Sequence, residues 1–449
     1  MVAKHDTAAG ELLRILGIGF GLAVVVGGIV GQGIMRTPGI IAGALPSPML
    51  IISVWTLGGV IILIDACATV ELGASMPRSG GPYVFAERAF GRVAGTMVGW
   101  ADWLNWTTAI AYISVVFAEY AQRLGFGTAV PTGALAVMLI AVVGAINSSG
   151  TKTCGASQVV GSAIKGLGLL LIIAVLLFGR AAASAVPAGP GLAAATPALT
   201  VAAFAIAIRG VAVTYAGWAS CVYFCDELHQ PERNVVRATF GGIGLVILLY
   251  VGVNAGLLHI LDPAQIAASK LPVSDAIAAV LGPASGVLIT LLAVFSVMAI
   301  CNLQVMAGSR IAYAMARNGV LPSILTRVSR SGSPHIALAW TAGVAALLAS
   351  SGGYERLIAI GAPLPLGIAA TCNILAIRMR FKEPQLQRPF RMPFFPLPAM
   401  IGFTANALLV GAMVYEDPFD SSIGVGVVLA IGIGTKVRST LRVARPAAA

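Results

Sequence analysis

The sequence predicts an all-α, polytopic membrane protein of twelve transmembrane helices, ten of them forming two inverted sets of five. Three observations carry that expectation. Hydrophobic residues fill 58% of the 449 positions, charged residues only 10%, and mean hydropathy is +0.92. Apolar windows long enough to cross a bilayer recur along the whole chain. Glycine interrupts the first and the sixth of them, and an odd number of spans per unit turns the second unit upside down relative to the first.

The windows fall at about 15–44, 49–74, 94–121, 129–147, 155–179, 199–228, 238–261, 284–313, 335–350, 356–377, 397–415 and 421–437. They divide the chain into a leading segment 1–14, a first five-helix unit 15–180 and a second 199–378. Helices 11 and 12 follow over 379–437, and 438–449 forms a tail. The leading segment has no signal-peptide pattern, because the apolar run after it is too long and lacks a cleavage site. Small-xxx-small spacings in span 1 (Gly17/Gly21, Gly27/Gly31, Gly39/Gly43) suit close helix packing in lipid.

A net charge of +11 invites a nucleic-acid reading, but the positions of the charges argue otherwise. Of the 28 Lys and Arg, 21, from Lys4 and Arg14 to Arg442 and Arg445, fall on one side of the predicted spans, and Arg36, Lys165 and Arg209 lie within them. The other side carries only Arg123, Arg180, Lys270 and Arg356. That is the positive-inside asymmetry, and it predicts a cell-membrane protein with both termini cytoplasmic and no nucleic-acid partner. The six cysteines are scattered through apolar or near-membrane segments, and the four histidines have no metal spacing, so neither a metal nor another cofactor is expected. An integral membrane enzyme would need a convergent His, Asp or Ser/Lys set at the membrane face, and none is legible.

Span 1 reads GGIVGQGIMRTPG over residues 27–39, and glycines 27, 28, 31 and 33 together with Pro38 break it into two half-helices. Unwound backbone inside a membrane survives only where protein or a wet cavity satisfies it. The second half-helix would aim its positive N-terminal end at the break, which suits a carboxylate. A second break is expected in span 6 at Thr214-Tyr-Ala-Gly-Trp218. Two opposed breaks supply donors and acceptors side by side without buried side-chain charge, a fit for a zwitterion near mid-membrane. Between the spans lie four links: ELGASMPRSGGPYVFAERAFG (71–91), DELHQPERNVVRA (226–238), GSRIAYAMARNGVLP (308–322) and QRPFRMPFFP (387–396). Taken singly, each reads as a solvated basic loop.

Taken together they resemble the amino acid/polyamine/organocation (APC) permeases, whose fold is the five-plus-five inverted repeat also called LeuT-type. The resemblance rests on G-Q-G-I with R-T-P-G in span 1, and on E-L-G-x-x-x-P-x-S-G-G-x-Y with A-F-G after span 2. It continues through Y-x-G-W with E-L-x-x-P-x-R-N in span 6, G-S-R-x-x-Y-A-M-A-R-x-G-x-L-P after span 8 and R-P-F-R-x-P after span 10. It implies a secondary transporter of amino acids, working by alternating access and not an enzyme. The substrate carboxylate would sit on backbone N–H groups around Gly31, Gln32, Gly33 and Ile34, and the ammonium on carbonyls of Val30, Val213, Thr214 and Tyr215. The chain departs from the family's usual small residue at Gln32, and from a common proline at Val236.

Lys165 lies well inside span 5, where a charge is costly and by default functional. The resemblance implies that its ammonium stands in for a sodium ion between spans 1, 5 and 8, making transport sodium-independent. Proton-driven uptake is favoured over exchange. Arg209, about a turn and a half before the second break, has no counterpart in the family pattern. It either pairs with Asp65, Asp102 or Glu119, the favoured reading, or recognises a second carboxylate on an anionic substrate. Tyr215 and Trp218 flank Gly217 and either lid a side-chain pocket or pack the core. Asn302 in span 8 lines the path or bonds a neighbouring helix. Glu227, close to Arg233 and Arg237, reads as part of a cytoplasmic gate or of a loop-ordering pair with them. A keto acid or a polyamine is the alternative cargo, the latter disfavoured because the breaks carry no carboxylates.

Overall fold

The computed structural model describes residues 12–180 and 200–443, apart from Gln32, Pro46, Pro283, Gly352, Gly353 and Asp417. These residues are almost entirely helical; the β-structure among them is an isolated parallel bridge between Leu16 and Leu228. Seven helices are long and apolar enough to cross a membrane, or eight if one bent pair counts as a single span. Shorter apolar helices at Thr132–Ser148, Pro272–Leu281, His335–Ser350 and Ser421–Lys436 accompany them.

The bent pair is span 1. Helix α1 (Ile18–Ile29) stops where Val30 turns extended, and α2 (Gly33–Ala44) leaves at 45° to it. Ser47 then caps α3 (Pro48–Ser75) by accepting from the Leu50 N–H at 3.3 Å, with Pro48 in the first turn where its missing donor costs nothing. The link that follows is no solvated loop. It folds into α4 (Pro82–Phe90), which buries Tyr83, Phe85 and Ala86, because its apolar residues recur at helical spacing.

Helices α5 (Arg92–Arg123), α6 (Thr132–Ser148) and α7 (Thr151–Phe178) complete the first unit. Span 6 opens as α8 (Val201–Thr214), capped by Thr200. It breaks at residues 215–217 and resumes as a 3-10 helix (Trp218–Phe224) where a second α-helical half was expected. Then come α9 (Pro231–Ile260), α10 (Pro263–Ala268), α11 (Pro272–Leu281) and α12 (Ser285–Arg317). Short helices α10 and α11 lie against α2, in a stretch the hydropathy windows left blank. The last five are α13 (His335–Ser350), α14 (Tyr354–Gly361), α15 (Pro363–Lys382), α16 (Leu397–Glu416) and α17 (Pro418–Val443). Span 10 runs through α14 and α15 as one membrane-length stretch, Arg356–Lys382, with Ala362 keeping helical dihedrals and a 2.8 Å bond to the Ile358 carbonyl beside Pro363.

Among the packed pairs are α3 on α9, α5 on α12, α6 on α13, and α1 on the 3-10 segment. One buried apolar cluster runs through α1, α3, α9, the 3-10 segment and the inner half of α12, and a second fills the space between α5, α6, α12 and α13. The two broken spans lie inside this frame.

Candidate functional site

The two breaks meet. Gly217, at φ +101°, is held in the left-handed region that glycine adopts freely. A Cβ there would stand 2.5 Å from the Gly28 carbonyl oxygen, and one at Gly28 would stand 2.8 Å from the Gly217 oxygen. Main chain thus crosses main chain with no room for a side chain on either side. Across the same crossing, the Tyr250 hydroxyl of α9 donates to the Ile29 carbonyl at 2.9 Å and reaches the Thr214 carbonyl at 3.4 Å. Nearby, the Thr37 and Thr214 hydroxyls bond at 2.8 Å, joining α2 to the end of α8.

Lys165 reaches the first break from α7. It is fully buried, and its ammonium donates to the Gly27 carbonyl at 2.8 Å and the Val30 carbonyl at 2.9 Å. Both acceptors belong to the C-terminal end of α1, whose unpaired carbonyls form the negative pole of the helix. One turn back on the same face, the Ser162 hydroxyl donates to the Ala23 carbonyl at 2.6 Å, and Gln158, a further turn back, donates to Ser162 at 3.2 Å. The chain of bonds continues: Asn302 of α12 donates to the Gln158 side chain at 2.9 Å and accepts from Asn147 of α6 at 2.8 Å. Asn302 is thus a bond between neighbouring helices.

Of the residues expected to bind substrate, Val30, Ile34, Thr214, Tyr215 and Trp218 are buried, Gly31, Gly33 and Gly217 half-buried, and Val213 is exposed. Gln32 lies outside the described residues. Gly33 opens α2 directly against Thr214, and Ile34 follows it, so the free N–H groups of that first turn sit beside the end of α8. The carbonyls of Val30, Val213 and Thr214 each already accept one bond inside the protein, and each keeps a second lone pair. Tyr215 is packing: its ring lies 5.0 Å from Tyr250 and 6.2 Å from Trp55, and its hydroxyl points to the Trp55 carbonyl.

Two expected pairings are corrected. Asp65 is buried and accepts from Asn373 of α15 at 2.7 Å, so its partner is an amide and not Arg209. Arg209 is half-buried on α8. Glu227 pairs with neither Arg233 nor Arg237. Arg310 of α12 grips it with two bonds of 2.9 Å, both side chains having no exposed surface, and Thr151 adds a third at 3.1 Å. The choice goes to Arg310 because α12 packs on the 3-10 end of span 6, while Arg233 and Arg237 sit on the first turns of α9.

Further ion pairs join residues of the four links to one another and to the end of α15. Arg380 holds Glu71 through bonds of 2.7 and 2.6 Å, Arg388 stands 3.2 Å from the same carboxylate, and the Met392 N–H donates to it. Arg317 bonds Asp226 at 3.2 Å, and Arg88 bonds Glu383 at 2.6 Å. The basic links are thus largely consumed in tying helix ends together. Sequence reasoning did not single out Tyr250, Thr37, Gln158, Ser162 or Arg310 as site residues. A signal existed for two of them: Gln158, Ser162 and Lys165 recur at helical spacing as a polar stripe on an apolar helix.

Residues 21–435 match the family model described as amino acid permease. The serine/threonine exchanger SteT of Bacillus subtilis (strain 168) is 25% identical, the match covering 93% of this chain and 95% of that protein. The human Asc-type amino acid transporter 1 is 27% identical over 93% of this chain and 81% of its own. The human cystine/glutamate transporter is 27% identical over 90% and 81%. With the family matched over nearly its whole length, the chain belongs to the amino acid permeases of the APC superfamily, which are membrane transporters and not enzymes.

Proposed function

We propose that this chain carries an amino acid across the cell membrane by alternating access, binding its backbone zwitterion at the crossing of the two broken spans. The carrying observation is that crossing itself: Gly28 against Gly217, with one tyrosine hydroxyl reaching carbonyls on both sides. Carboxylate binding falls to the N–H groups of Gly31, Gln32, Gly33 and Ile34, and ammonium binding to carbonyls of Val30, Val213, Thr214 and Tyr215. Trp218 and Gly217 border the space left for the side chain.

Twelve spans in a five-plus-five inverted repeat fit this reading. The packed pairs α3–α9, α5–α12 and α6–α13 each join spans five apart, which supports two units related by a two-fold axis in the membrane plane. The basic face is cytoplasmic, with both termini there. Sodium independence is supported by Lys165, whose ammonium fills the gap between α1 and α7 where a cation would otherwise neutralise the α1 carbonyls. Protons then supply the driving force. Exchange is the second reading, favoured by the similarity to the serine/threonine exchanger of Bacillus subtilis. Arg209 remains a candidate for selecting a second substrate carboxylate, tested by comparing Arg209→Ala on a neutral and an acidic amino acid.

Purified protein in liposomes, offered labelled serine, threonine and other amino acids, tests the whole reading. Accumulation driven by an inward proton gradient supports proton coupling; uptake only with amino acid inside supports exchange. A sodium requirement removes the role given to Lys165, and no movement of any amino acid removes the transport reading.

A further inference from the structure

One buried acid takes no part in the site described above. Asp102 lies on α5 ten residues past Arg92, about 15 Å from the start of that helix, and has no exposed surface. The Tyr223 hydroxyl donates to its Oδ1 at 3.0 Å, while Oδ2 has no hydrogen-bond partner. It forms no ion pair among the described residues. The titratable groups facing it from other elements are Tyr223 and, from α15, Cys372, with Asp65 of α3 beyond that thiol. A charged carboxylate with one bonded hydroxyl donor and the Trp106 indole N–H beside it, and with no cation, is poorly compensated in such a place, whereas a carboxylic acid is not.

Tyr223 belongs to the 3-10 segment that follows the second break, and Trp106, one turn along α5 from Asp102, packs edge-on against its ring at 5.2 Å. The next residue, Phe224, turns the other way, to Phe20 of α1 at 5.2 Å and under the Arg310 guanidinium at 5.6 Å. The segment is therefore clasped between α5 on one side and α1 with α12 on the other. Asp102 has no exposed surface while the segment rests on α5.

We infer that Asp102 is a proton-binding site of the transporter, loaded and unloaded when the Tyr223 segment separates from α5, and that its occupancy gates turnover. The step moves one proton from bulk water to Oδ2 and changes no other covalent bond. Tyr223 carries the information: its bond to Oδ1 exists only while the segment rests on α5. The consequence for turnover rests on the transport reading above, but the proton site does not.

Infrared spectroscopy of the purified protein tests the site itself. Near neutral pH the wild type shows a carboxylic-acid C=O band component that Asp102→Asn lacks; an unchanged band in that variant overturns the inference. Exchange of labelled serine in liposomes tests the gating. Wild-type exchange falls about tenfold per pH unit above its midpoint, and Asp102→Asn changes less than about twofold over the same range. Tyr223→Phe, which keeps the ring and its packing, shifts the wild-type midpoint by at least about half a pH unit. A variant profile that tracks the wild type, or a wild type flat across the range, sinks the gating role. Failure to exchange any amino acid would count against the transport reading, and the infrared result would still decide the proton site.

Discussion

At Lys165 one ammonium holds two main-chain carbonyls, those of Gly27 and Val30, deep in the protein. Hydrogen bonds to a charged donor contribute about 1.5–3 kcal/mol each. Lys165→Ala is therefore expected to lower both thermal stability and transport, the latter by more than about tenfold, with expression in the membrane retained. Thermal unfolding in detergent and liposome uptake check the two effects separately. Gly217→Ala attacks the crossing from the other side, since φ +101° and an oxygen 2.5 Å from the new methyl both oppose it. The strain is about 1–3 kcal/mol, and transport should fall while insertion persists; wild-type rates in this variant would mean the breaks do not meet in the working protein. The glycines of the first break were legible in the sequence because glycine carries a helix cost wherever it sits. Tyr250 was not, because its targets are main-chain carbonyls, which leave no mark in the sequence, and a tyrosine in an apolar helix looks like any other.

Buried ion pairs join elements that the sequence alone would not have matched. Glu227 and Arg310 are 83 residues apart in the chain, and the nearer arginines 233 and 237 were the natural guesses. Distance along the chain says little once α12 packs on the 3-10 end of span 6. Removing one partner of a buried pair costs about 3–5 kcal/mol, whereas replacing both can be neutral. Glu227→Gln and Arg310→Met should each destabilise the protein strongly, and the double variant less than the sum, as a thermal double-mutant cycle would read. The exposed pair Arg88–Glu383 behaves differently. Its hydrogen bond from Arg88 holds the Glu383 carboxyl below the usual value of 4.5, so it stabilises the fold above that pH and the effect is lost as pH falls through the lowered value. Partial exposure keeps the contribution small. Glu383→Gln should leave neutral stability nearly unchanged and flatten its decline in acid. At this scale α4 and the pair α10–α11 escaped a hydropathy reading because window averages report apolar content, not turns or reversals shorter than a bilayer.

For the molecule as a whole, composition made the all-helical, apolar architecture legible, since lipid demands long apolar helices. The arginines of the links do more than set the charge balance. Arg310, Arg317, Arg380 and Arg388 are spent on the carboxylates of Glu227, Asp226 and Glu71. Cysteines introduced singly at the described Lys152 and Lys382 positions should react with a membrane-impermeant reagent only from the cytoplasmic side in intact cells, and one at Lys270 only from outside. The reverse labelling would invert the topology. A last consequence follows from the backbone bridge near the start of the described chain. Leu16 accepts from the His229 N–H and donates to the Glu227 carbonyl, both at 2.8 Å. The strand leading into the first crossing and the strand leaving the sixth are thus stitched at the same rung, so neither can swing alone. Pulling on one tows the other, and an adduct or cross-link at that rung would freeze both with a single covalent bond.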